Sequence, residues 1–318
     1  MKDNIDKLIG NTPLIKINYK YKNRLESVYA KLEYYNLTGS IKDRMAYYII
    51  KEANKKGLLK DGQAIVEATS GNTGISLAAL GAYFKHDVHI FMPDWVSVER
   101  RKLMELYGAK IYLVSRSDGG FQEAIRRADE YAKEINGYRP NQFDNMDNVM
   151  AHYSSTAEEI LNKIDVTLVV LGIGTGGTLM GIGKRFKELD NSIKVLAMEP
   201  RNLPLLSQGI NVGSHKIEGI GDDFIPNIVD KSIIDEVVVI DDVDAINMTR
   251  KLALELGLGV GISSGANFLA AVVTNDNKKT VTIFADDNKK YLSTNMVDKI
   301  NTDGLISKDI ELIDYEVL

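Results

Sequence analysis

Three turns rich in glycine and hydroxyl residues each follow a strand-forming run and precede a stretch of helical character. They lie at Glu67–Gly74, Gly172–Thr178 and Gly261–Ala266. Glycines let a backbone approach a ligand closely, and the free N–H groups and dipole at a helix start favour an anion. One such turn alone would indicate only a tight connection. Three together predict a ligand with several anionic or polar groups, such as phosphate and carboxylate.

A lysine, Lys42, follows the small polar residues of Thr38–Ser40 and precedes Asp43 and Arg44. We predict a helix at Met45–Lys51, so that this lysine lies near a positive helix end. A lysine in such a place, partly removed from water, has more of the neutral amine that Schiff-base chemistry needs. Residue chemistry alone also allows an ordinary surface lysine, and favours it.

The middle turn also fits a dinucleotide-binding fingerprint. Gly172, Gly174 and Gly177 have the G-x-G-x-x-G spacing after a strand, and Glu199 follows the next strand, where a ribose-binding acid would lie. An NAD-dependent oxidoreductase is therefore the main alternative function, although it leaves the other two turns and Lys42 unexplained. A non-catalytic binding protein is a second alternative.

Short strand-forming runs alternate with amphipathic stretches of helix length, which is typical of an α/β fold with a mainly parallel sheet covered by helices. The predicted strands are Ala64–Glu67, Val88–Met92, Lys110–Val114, Thr167–Leu171, Lys194–Met198 and Thr280–Phe284. The predicted helices, besides Met45–Lys51, are Thr73–Phe84, Ser97–Tyr107, Gly120–Ile135, Thr178–Leu189, Val243–Leu256 and Ala266–Val273.

Two segments complete this organisation. The polar, turn-prone stretch Pro140–Asn148 separates two strand–helix series and predicts a passage between two domains, with a ligand in the cleft between them. Near the end of the chain, Ile310–Tyr315 alternates apolar and polar residues, which predicts either a short edge strand or a solvated tail.

The composition narrows the classes of function. The 39 basic and 44 acidic residues give a net charge of −5 with no basic stripe, so no nucleic-acid partner is expected, and Arg100–Lys102 is predicted on a solvated helix face. No apolar run reaches the roughly 18 residues of a membrane span, and from the N-terminal residues no signal peptide is expected. We expect a cytoplasmic protein without a membrane partner. The absence of cysteine excludes disulfides and thiolate chemistry, and the four histidines show no metal-site spacing, so no metal is expected.

Ordered motifs along nearly the whole chain resemble those of the cysteine synthase and cystathionine β-synthase family, which are pyridoxal-phosphate (PLP) enzymes of fold type II. The motifs are Ile9–Leu14, Gly39–Arg44, Thr69–Gly74, Met92–Pro93 with Glu99–Arg101, Gln142–Phe143, Gly174–Thr178, Gly219–Gly221, Gly261–Gly265 and Tyr291–Thr294. The resemblance implies two three-layer α/β domains of the tryptophan synthase β-like kind, with PLP in the cleft between them. It also implies a homodimer.

The same resemblance implies the domain boundaries and the site residues. Residues 1–12 and 35–145 would form a smaller mobile domain, and residues 13–34 and 146–318 a larger domain that binds the cofactor phosphate. Lys42 would bind the cofactor aldehyde as an internal aldimine and then exchange the proton of the substrate α-carbon. Asn72 would hold the ring hydroxyl oxygen, and Ser263 would face the pyridine nitrogen. The phosphate would be bound by Gly174, Thr175, Gly176, Gly177 and Thr178. The substrate carboxylate would be bound by Thr69, Ser70, Asn72, Thr73 and Gln142.

The implied reaction is a ping-pong β-replacement on an amino acid through an α-aminoacrylate intermediate. The chain departs from the family at Asp222 and Asp223, where sulfide-using cysteine synthases usually carry alanine and glycine and cystathionine β-synthases tyrosine and aspartate. A second departure is Asp286–Lys290, in place of a serine-glycine-acid-arginine run near the cofactor.

An acidic group at the mouth of the site repels hydrosulfide but accepts a proton from water or a thiol, or pairs with an ammonium group. We therefore predict that the enzyme uses L-cysteine or an activated L-serine, releases hydrogen sulfide from L-cysteine, and adds water or an amino-acid thiol, with Asp222 and Asp223 as catalytic residues. The product would be L-serine, lanthionine or cystathionine. Two alternatives stay open: an ordinary cysteine synthase that uses O-acetyl-L-serine and sulfide, and aspartates that only cap a turn.

Overall fold

The computed structural model describes residues 4–298, 302 and 305–318, and within these it contains two sheets and the helices that cover them. The strands are β1 (Leu14–Tyr21), β2 (Arg24–Leu32), β3 (Ile65–Ala68), β4 (Val88–Pro93), β5 (Lys110–Val114), β6 (Leu168–Gly172), β7 (Lys194–Pro200), β8 (Glu236–Ile240), β9 (Thr280–Phe284) and β10 (Glu311–Val317). The α-helices are α1 (Lys42–Lys55), α2 (Asn72–Phe84), α3 (Val98–Leu106), α4 (Gly120–Glu134), α5 (Met146–Ala151), α6 (Ala157–Leu161), α7 (Gly177–Leu189), α8 (Leu205–Gln208), α9 (Asp242–Leu256) and α10 (Ile262–Thr274).

The larger sheet has seven strands in the order β10-β1-β2-β9-β6-β7-β8. Strands β2, β9, β6, β7 and β8 run parallel, whereas β1 is antiparallel to both of its neighbours. The smaller sheet, β3-β4-β5, is wholly parallel. This arrangement confirms the predicted α/β class with mainly parallel sheets. The predicted edge strand near the C-terminus is also confirmed, because β10 pairs with β1 at the end of the larger sheet.

The first two strands form a hairpin that the sequence analysis did not predict. Its two-residue turn consists of Lys22 and Asn23, whose φ angles of 49° and 62° are those of a type I′ turn, the turn that matches the twist of paired strands. Ile15, Ile17 and Tyr19 are fully buried below this hairpin, as the alternation of a half-buried strand requires.

One long helix lies in the chain between α4 and β6. It consists of α5 and α6 joined by a π-helical segment, His152–Thr156. Asn145 begins it, because its side chain accepts a hydrogen bond from the backbone N–H of Asp147. A π-helical turn adds a residue to the helical repeat and is frequent at functional sites. It directs His152 inward, toward the start of α7.

Three findings concern membrane spans, metal sites and one charged side chain. Among the residues described, no helix combines the length and the apolar character needed to cross a membrane. Within the same residues, no cluster of three potential metal ligands is present. The prediction for Arg100 is wrong: its side chain is only 2% exposed, although it belongs to the charged stretch that we predicted on a solvated helix face.

Candidate active site

A cavity of about 990 Å³, including space open to solvent, lies where loops from both sheets meet. The loops that follow β3, β6 and β9 all contribute to it, so it is at the carboxyl ends of parallel strands, the usual place for ligands in α/β folds. All but two of the predicted site residues line it: Lys42, Thr69, Ser70, Asn72, Thr73, Gln142, Gly174, Thr175, Gly176, Thr178, Asp222 and Ser263. The other two, Gly177 and Asp223, lie beside it.

Lys42 is the first residue of α1, and the loop before it is fixed by hydrogen bonds. The backbone N–H of Ile41 donates to the carbonyl of Ala285 at 2.9 Å, and the hydroxyl and backbone N–H of Thr38 donate to Asp43 at 2.6 and 2.7 Å. Burial lowers the pKa of the Lys42 amine, and the negative charges nearby oppose this only in part. Lys42 therefore lines the cavity, and its amine loses its proton at a lower pH than the amine of a lysine in water.

Four charged side chains, three of them buried and one half-buried, hold the first turn of α1 in place. Arg44 forms bidentate ion pairs with Glu33, at 2.6 and 2.8 Å, and with Glu159, also at 2.6 and 2.8 Å. Lys31 pairs with Glu159 at 2.6 Å, and the hydroxyl of Thr12 donates to Glu33 at 2.8 Å. Two positive and two negative groups thus compensate one another in the interior. They connect the Gly39–Arg44 motif to the N-terminal motif and to the helix that carries His152.

The turn before α7 has the form of an anion cradle. Gly176 precedes the helix with a φ of +89°, which favours glycine, and a side chain at Gly174 would lie 2.3 Å from the carbonyl oxygen of Gly219. The backbone N–H of Gly177 makes only a long hydrogen bond to the Thr175 hydroxyl, at 3.4 Å. The N-terminus of α7 therefore suits an anion, and the helix dipole favours one there.

Two residues that the sequence analysis did not single out support this cradle. Asn148 donates from its side-chain amide to the hydroxyl of Thr175 at 3.0 Å, and His152 lies 3.3 Å from the hydroxyl of Thr178. Burial, together with the charges of Lys42 and Arg44, lowers the pKa of His152 well below its usual range. The imidazole is therefore neutral. The π-helical turn directs His152 toward Thr178, and no local sequence signal indicates such a turn.

The loop after β3 and Gln142 form one hydrogen-bonded unit. The hydroxyl of Thr73 donates to the side chain of Gln142 at 2.7 Å, and the amide of Gln142 donates to the carbonyl of Ala68 at 3.0 Å. The Thr69 hydroxyl accepts from the backbone N–H of Gly71 at 3.1 Å. The structure thus brings together the residues predicted to bind a substrate carboxylate.

Asp222 and Asp223, at which the chain departs from the family pattern, lie in different surroundings. Asp222 lines the cavity with Lys42, whereas Asp223 is exposed and accepts a hydrogen bond from Gln122 at 3.1 Å. Burial and the charge of Asp223 raise the pKa of Asp222 to about 6, although Lys42 opposes this. Asp222 is therefore an acid–base group that titrates just below neutral pH.

Arg100 is a cavity residue that sequence reasoning missed. It forms an ion pair with Glu218 and lies 4.5 Å from the ring centre of Tyr291. Its side chain also packs against Gly71, where a β-carbon would approach Arg100 to 2.6 Å. An arginine is buried this completely only when it is paired, and here the pairing connects α3 to the loop that carries Asp222.

The middle turn does not complete a dinucleotide site. Glu199, the acid expected to bind a ribose, is buried and accepts hydrogen bonds from the backbone N–H groups of Leu206 and Ser207 at 2.7 and 3.0 Å. Its carboxylate therefore caps the N-terminus of α8 by accepting these hydrogen bonds.

Comparison with known proteins decides the family. The model of the family described as "Pyridoxal-phosphate dependent enzyme" matches residues 5–286. The chain belongs to this family. A probable cysteine synthase of Bacillus subtilis (strain 168) is 42% identical over 299 residues, which cover 91% of this chain and 96% of that protein.

Solved structures agree with this assignment. A hydrogen sulfide-producing enzyme from Fusobacterium nucleatum has a TM-score of 0.94 and 49% identity, covering 99% of this chain and 97% of that chain. An aspartate-to-asparagine mutant of a hydrogen sulfide-producing enzyme, in complex with an α-aminoacrylate intermediate, has a TM-score of 0.96 and 48% identity, with 99% and 98% covered. The protein is thus a PLP-dependent enzyme of the cysteine synthase family that performs β-replacement, with fold type II as expected.

The residues present fit PLP. Gly174–Thr178 offers a cradle for its phosphate, Lys42 an amine for its aldehyde, and Ser263 a buried neutral hydroxyl at the start of α10. Asn72 carries a buried amide oxygen that has no hydrogen-bond partner among the residues described, as expected of a group that meets a ligand.

Proposed function

We propose that this enzyme converts L-cysteine and water to L-serine and hydrogen sulfide, with Asp222 as the group that accepts the proton of the water. One carbon–sulfur bond breaks and one carbon–oxygen bond forms at the β-carbon. The sulfur leaves as hydrogen sulfide, so no oxidant or reductant is needed. The observation that carries the proposal is the position of Asp222, a carboxyl group with a pKa of about 6 in the same cavity as Lys42.

The charge of Asp222 favours this reaction over the use of sulfide. Above a pH of about 6 the group is mainly ionised, and a carboxylate repels an incoming hydrosulfide anion. The same carboxylate is a suitable general base for a neutral water molecule.

The other cavity residues take complementary roles in this proposal. Bound PLP supplies an electron sink for the carbanion at the α-carbon. The Nζ atom of Lys42, whose pKa burial lowers, takes the α-proton, and the Thr69–Thr73 loop with Gln142 binds the carboxylate of the substrate. The ion pair of Arg100 and Glu218 lines the same cavity.

The same arrangement supports a close variant, in which an amino-acid thiol adds in place of water to give lanthionine or cystathionine. Beyond the cavity, a wider opening is lined by Asp222, Asp223 and Glu218, whose carboxylates suit the ammonium group of a second amino acid. The second candidate function is an ordinary cysteine synthase, which the names of several relatives favour. In this case O-acetyl-L-serine and sulfide are the preferred substrates.

Two matched variants test the proposal. Asp222→Asn and Asp223→Asn each remove one negative charge from adjacent residues, but only Asp222 lines the cavity. We expect Asp222→Asn to lower L-serine formation from L-cysteine by about 100-fold or more, the usual loss when a general base is removed, and Asp223→Asn to change it by less than about threefold. Sulfide and amino-acid products are measured together. If neither substitution changes sulfide release or any replacement rate, the proposal is wrong.

We further propose a cytoplasmic homodimer, with the domain division expected from the sequence: residues 1–12 and 35–145 in one domain, and 13–34 and 146–318 in the other. Residues 1–3, 299–301 and 303–304 of these ranges lie outside the described residues. Apolar side chains of β10 are exposed at the edge of the larger sheet, among them Ile313 and Val317, which supports an association of chains. Light scattering during gel filtration distinguishes a dimer from a monomer.

A further inference from the structure

Asp286 occupies a buried position next to the cavity that the proposed function does not use. It follows β9 by two residues, and its backbone bridges Ser40, two residues before Lys42. The side chain is 1% exposed. A carboxylate is this deeply buried only where specific partners hold it.

Among the residues described, the carboxylate of Asp286 has two hydrogen-bond donors, which share one oxygen. Oδ2 accepts from the side-chain amide of Asn72 at 2.8 Å and from the hydroxyl of Tyr291 at 2.6 Å. Oδ1 has no hydrogen-bond partner among the described residues, and it lies where a β-carbon on Gly261 would approach to 2.0 Å. A glycine at position 261 therefore makes room for this carboxylate.

The hydrogen bond between Asn72 and Asp286 determines the orientation of the Asn72 side-chain amide. An ionised carboxylate only accepts hydrogen bonds, so the NH₂ group of Asn72 must turn toward Asp286. The amide oxygen is then left buried without a partner, on a residue that lines the cavity. A neutral partner in place of Asp286 would accept either end of the amide and would not select one orientation.

We propose that Asp286 is a positioning residue for the cofactor: its carboxylate fixes the side chain of Asn72 so that one arrangement of polar atoms is offered to PLP. Asp286 belongs to the segment Asp286–Lys290, in which the chain departs from its family. A second member of this segment acts on the lysine loop, because Lys290 donates to the carbonyl of Gly39 at 2.7 Å. The inference rests on the PLP site of the proposed function but not on the nucleophile.

The test compares the PLP-loaded wild type with Asp286→Asn, which keeps the shape of the side chain and removes its charge. Asp287→Asn is the matched control, because Asp287 caps a short helical turn through the N–H of Lys289. Equilibrium dialysis against decreasing PLP gives the affinity, and the visible spectrum reports the surroundings of the ring. We expect Asp286→Asn to weaken PLP binding about five- to tenfold, since a charge-assisted hydrogen bond becomes a neutral one, and to shift the visible band. Asp287→Asn should stay within about twofold of the wild type.

The Tyr291→Phe variant distinguishes positioning of Asn72 by Asp286 from a purely structural role of Asp286 in the core. It removes the other donor to Asp286 and leaves the contact with Asn72 intact, so we expect a lower melting temperature with an unchanged visible band. An unchanged affinity and band in Asp286→Asn, or an equal shift in Tyr291→Phe, would overturn the inference. A failure confined to Asp286→Asn leaves the proposed function standing, whereas a wild type without PLP would overturn both.

Discussion

The pH dependence of L-serine formation reports the protonation of Asp222. A general base must be ionised, and a pKa of about 6 makes it about 90% ionised at pH 7 but only about 9% ionised at pH 5. We therefore expect the rate under saturating L-cysteine to fall about tenfold between these two pH values. An aspartate with its ordinary pKa of 3.8 would stay about 94% ionised at pH 5, and the rate would hardly change.

The Asp222→Asn substitution should remove this fall in rate toward pH 5, the acidic limb of the pH profile. Its residual rate should be low and almost independent of pH between about pH 5 and 7, because the amide has no proton to lose there. The assay is the initial rate of L-serine formation in overlapping buffers, with sulfide measured in the same samples. A wild-type rate that is flat down to about pH 5, or the same acidic limb in Asp222→Asn, would refute the assignment of the base.

The same pKa has a consequence for stability. Between its ordinary value of 3.8 and about 6, Asp222 ionises more readily in the unfolded chain, so the folded state loses stability as the pH rises through this range and does not regain it at pH 7. The full difference corresponds to about 3 kcal/mol, which we reduce to roughly 1–2 kcal/mol because the cavity is open to solvent. Asp222→Asn should therefore melt at a higher temperature than the wild type at pH 7 and at a similar temperature near pH 4, as measured by calorimetry.

Three further predictions follow from other parts of the site. Glu33→Gln leaves Arg44 incompletely paired in the interior and should lower the free energy of unfolding by about 3–5 kcal/mol in urea titrations. Glu52→Gln, which removes ion pairs with the exposed Lys55 and Lys56, should change it by less than about 1 kcal/mol, and equal effects would contradict the role of the cluster. Gly174→Ala places a β-carbon 2.3 Å from the facing carbonyl oxygen of Gly219, so PLP should be lost on dialysis. Retention of PLP at the wild-type level would show that the turn adjusts to the added methyl group. Lys42→Ala should remove the yellow colour that survives dialysis in the wild type, and persistence of this colour would place the cofactor on another residue.

The sequence was most informative where chemistry and local pattern coincide. The strand at Lys110–Val114 and the strand at Thr280–Phe284 are confirmed at both ends, because runs of β-branched and apolar residues are bounded there by polar turns. The three glycine-rich turns were predicted as parts of a ligand site because the constraint is local: a backbone that approaches an anion needs glycine. The roles of single residues in these turns came from the family resemblance and stay predictions.

Other elements were missed for physical reasons. The long helix around His152 contains a π-helical turn, which moves its apolar residues out of the regular helical repeat. The turn Lys22–Asn23 lacks the glycine that usually marks a hairpin. Helix α10 begins four residues before the predicted Ala266, so that Ser263 lies in its first turn rather than in a loop. Charged residues such as Arg100 were placed on the surface, since pairing with Glu218, more than a hundred residues away, is a tertiary property.

The central claim is that L-cysteine is consumed and sulfide released. The most direct test supplies the purified PLP-loaded enzyme with L-cysteine alone and, separately, with O-acetyl-L-serine and sulfide, and measures sulfide, L-serine and L-cysteine over time. We predict release of sulfide with formation of an equal amount of L-serine from L-cysteine alone, at a rate above that of L-cysteine synthesis. Synthesis of L-cysteine from O-acetyl-L-serine and sulfide, without sulfide release from L-cysteine, would contradict the account.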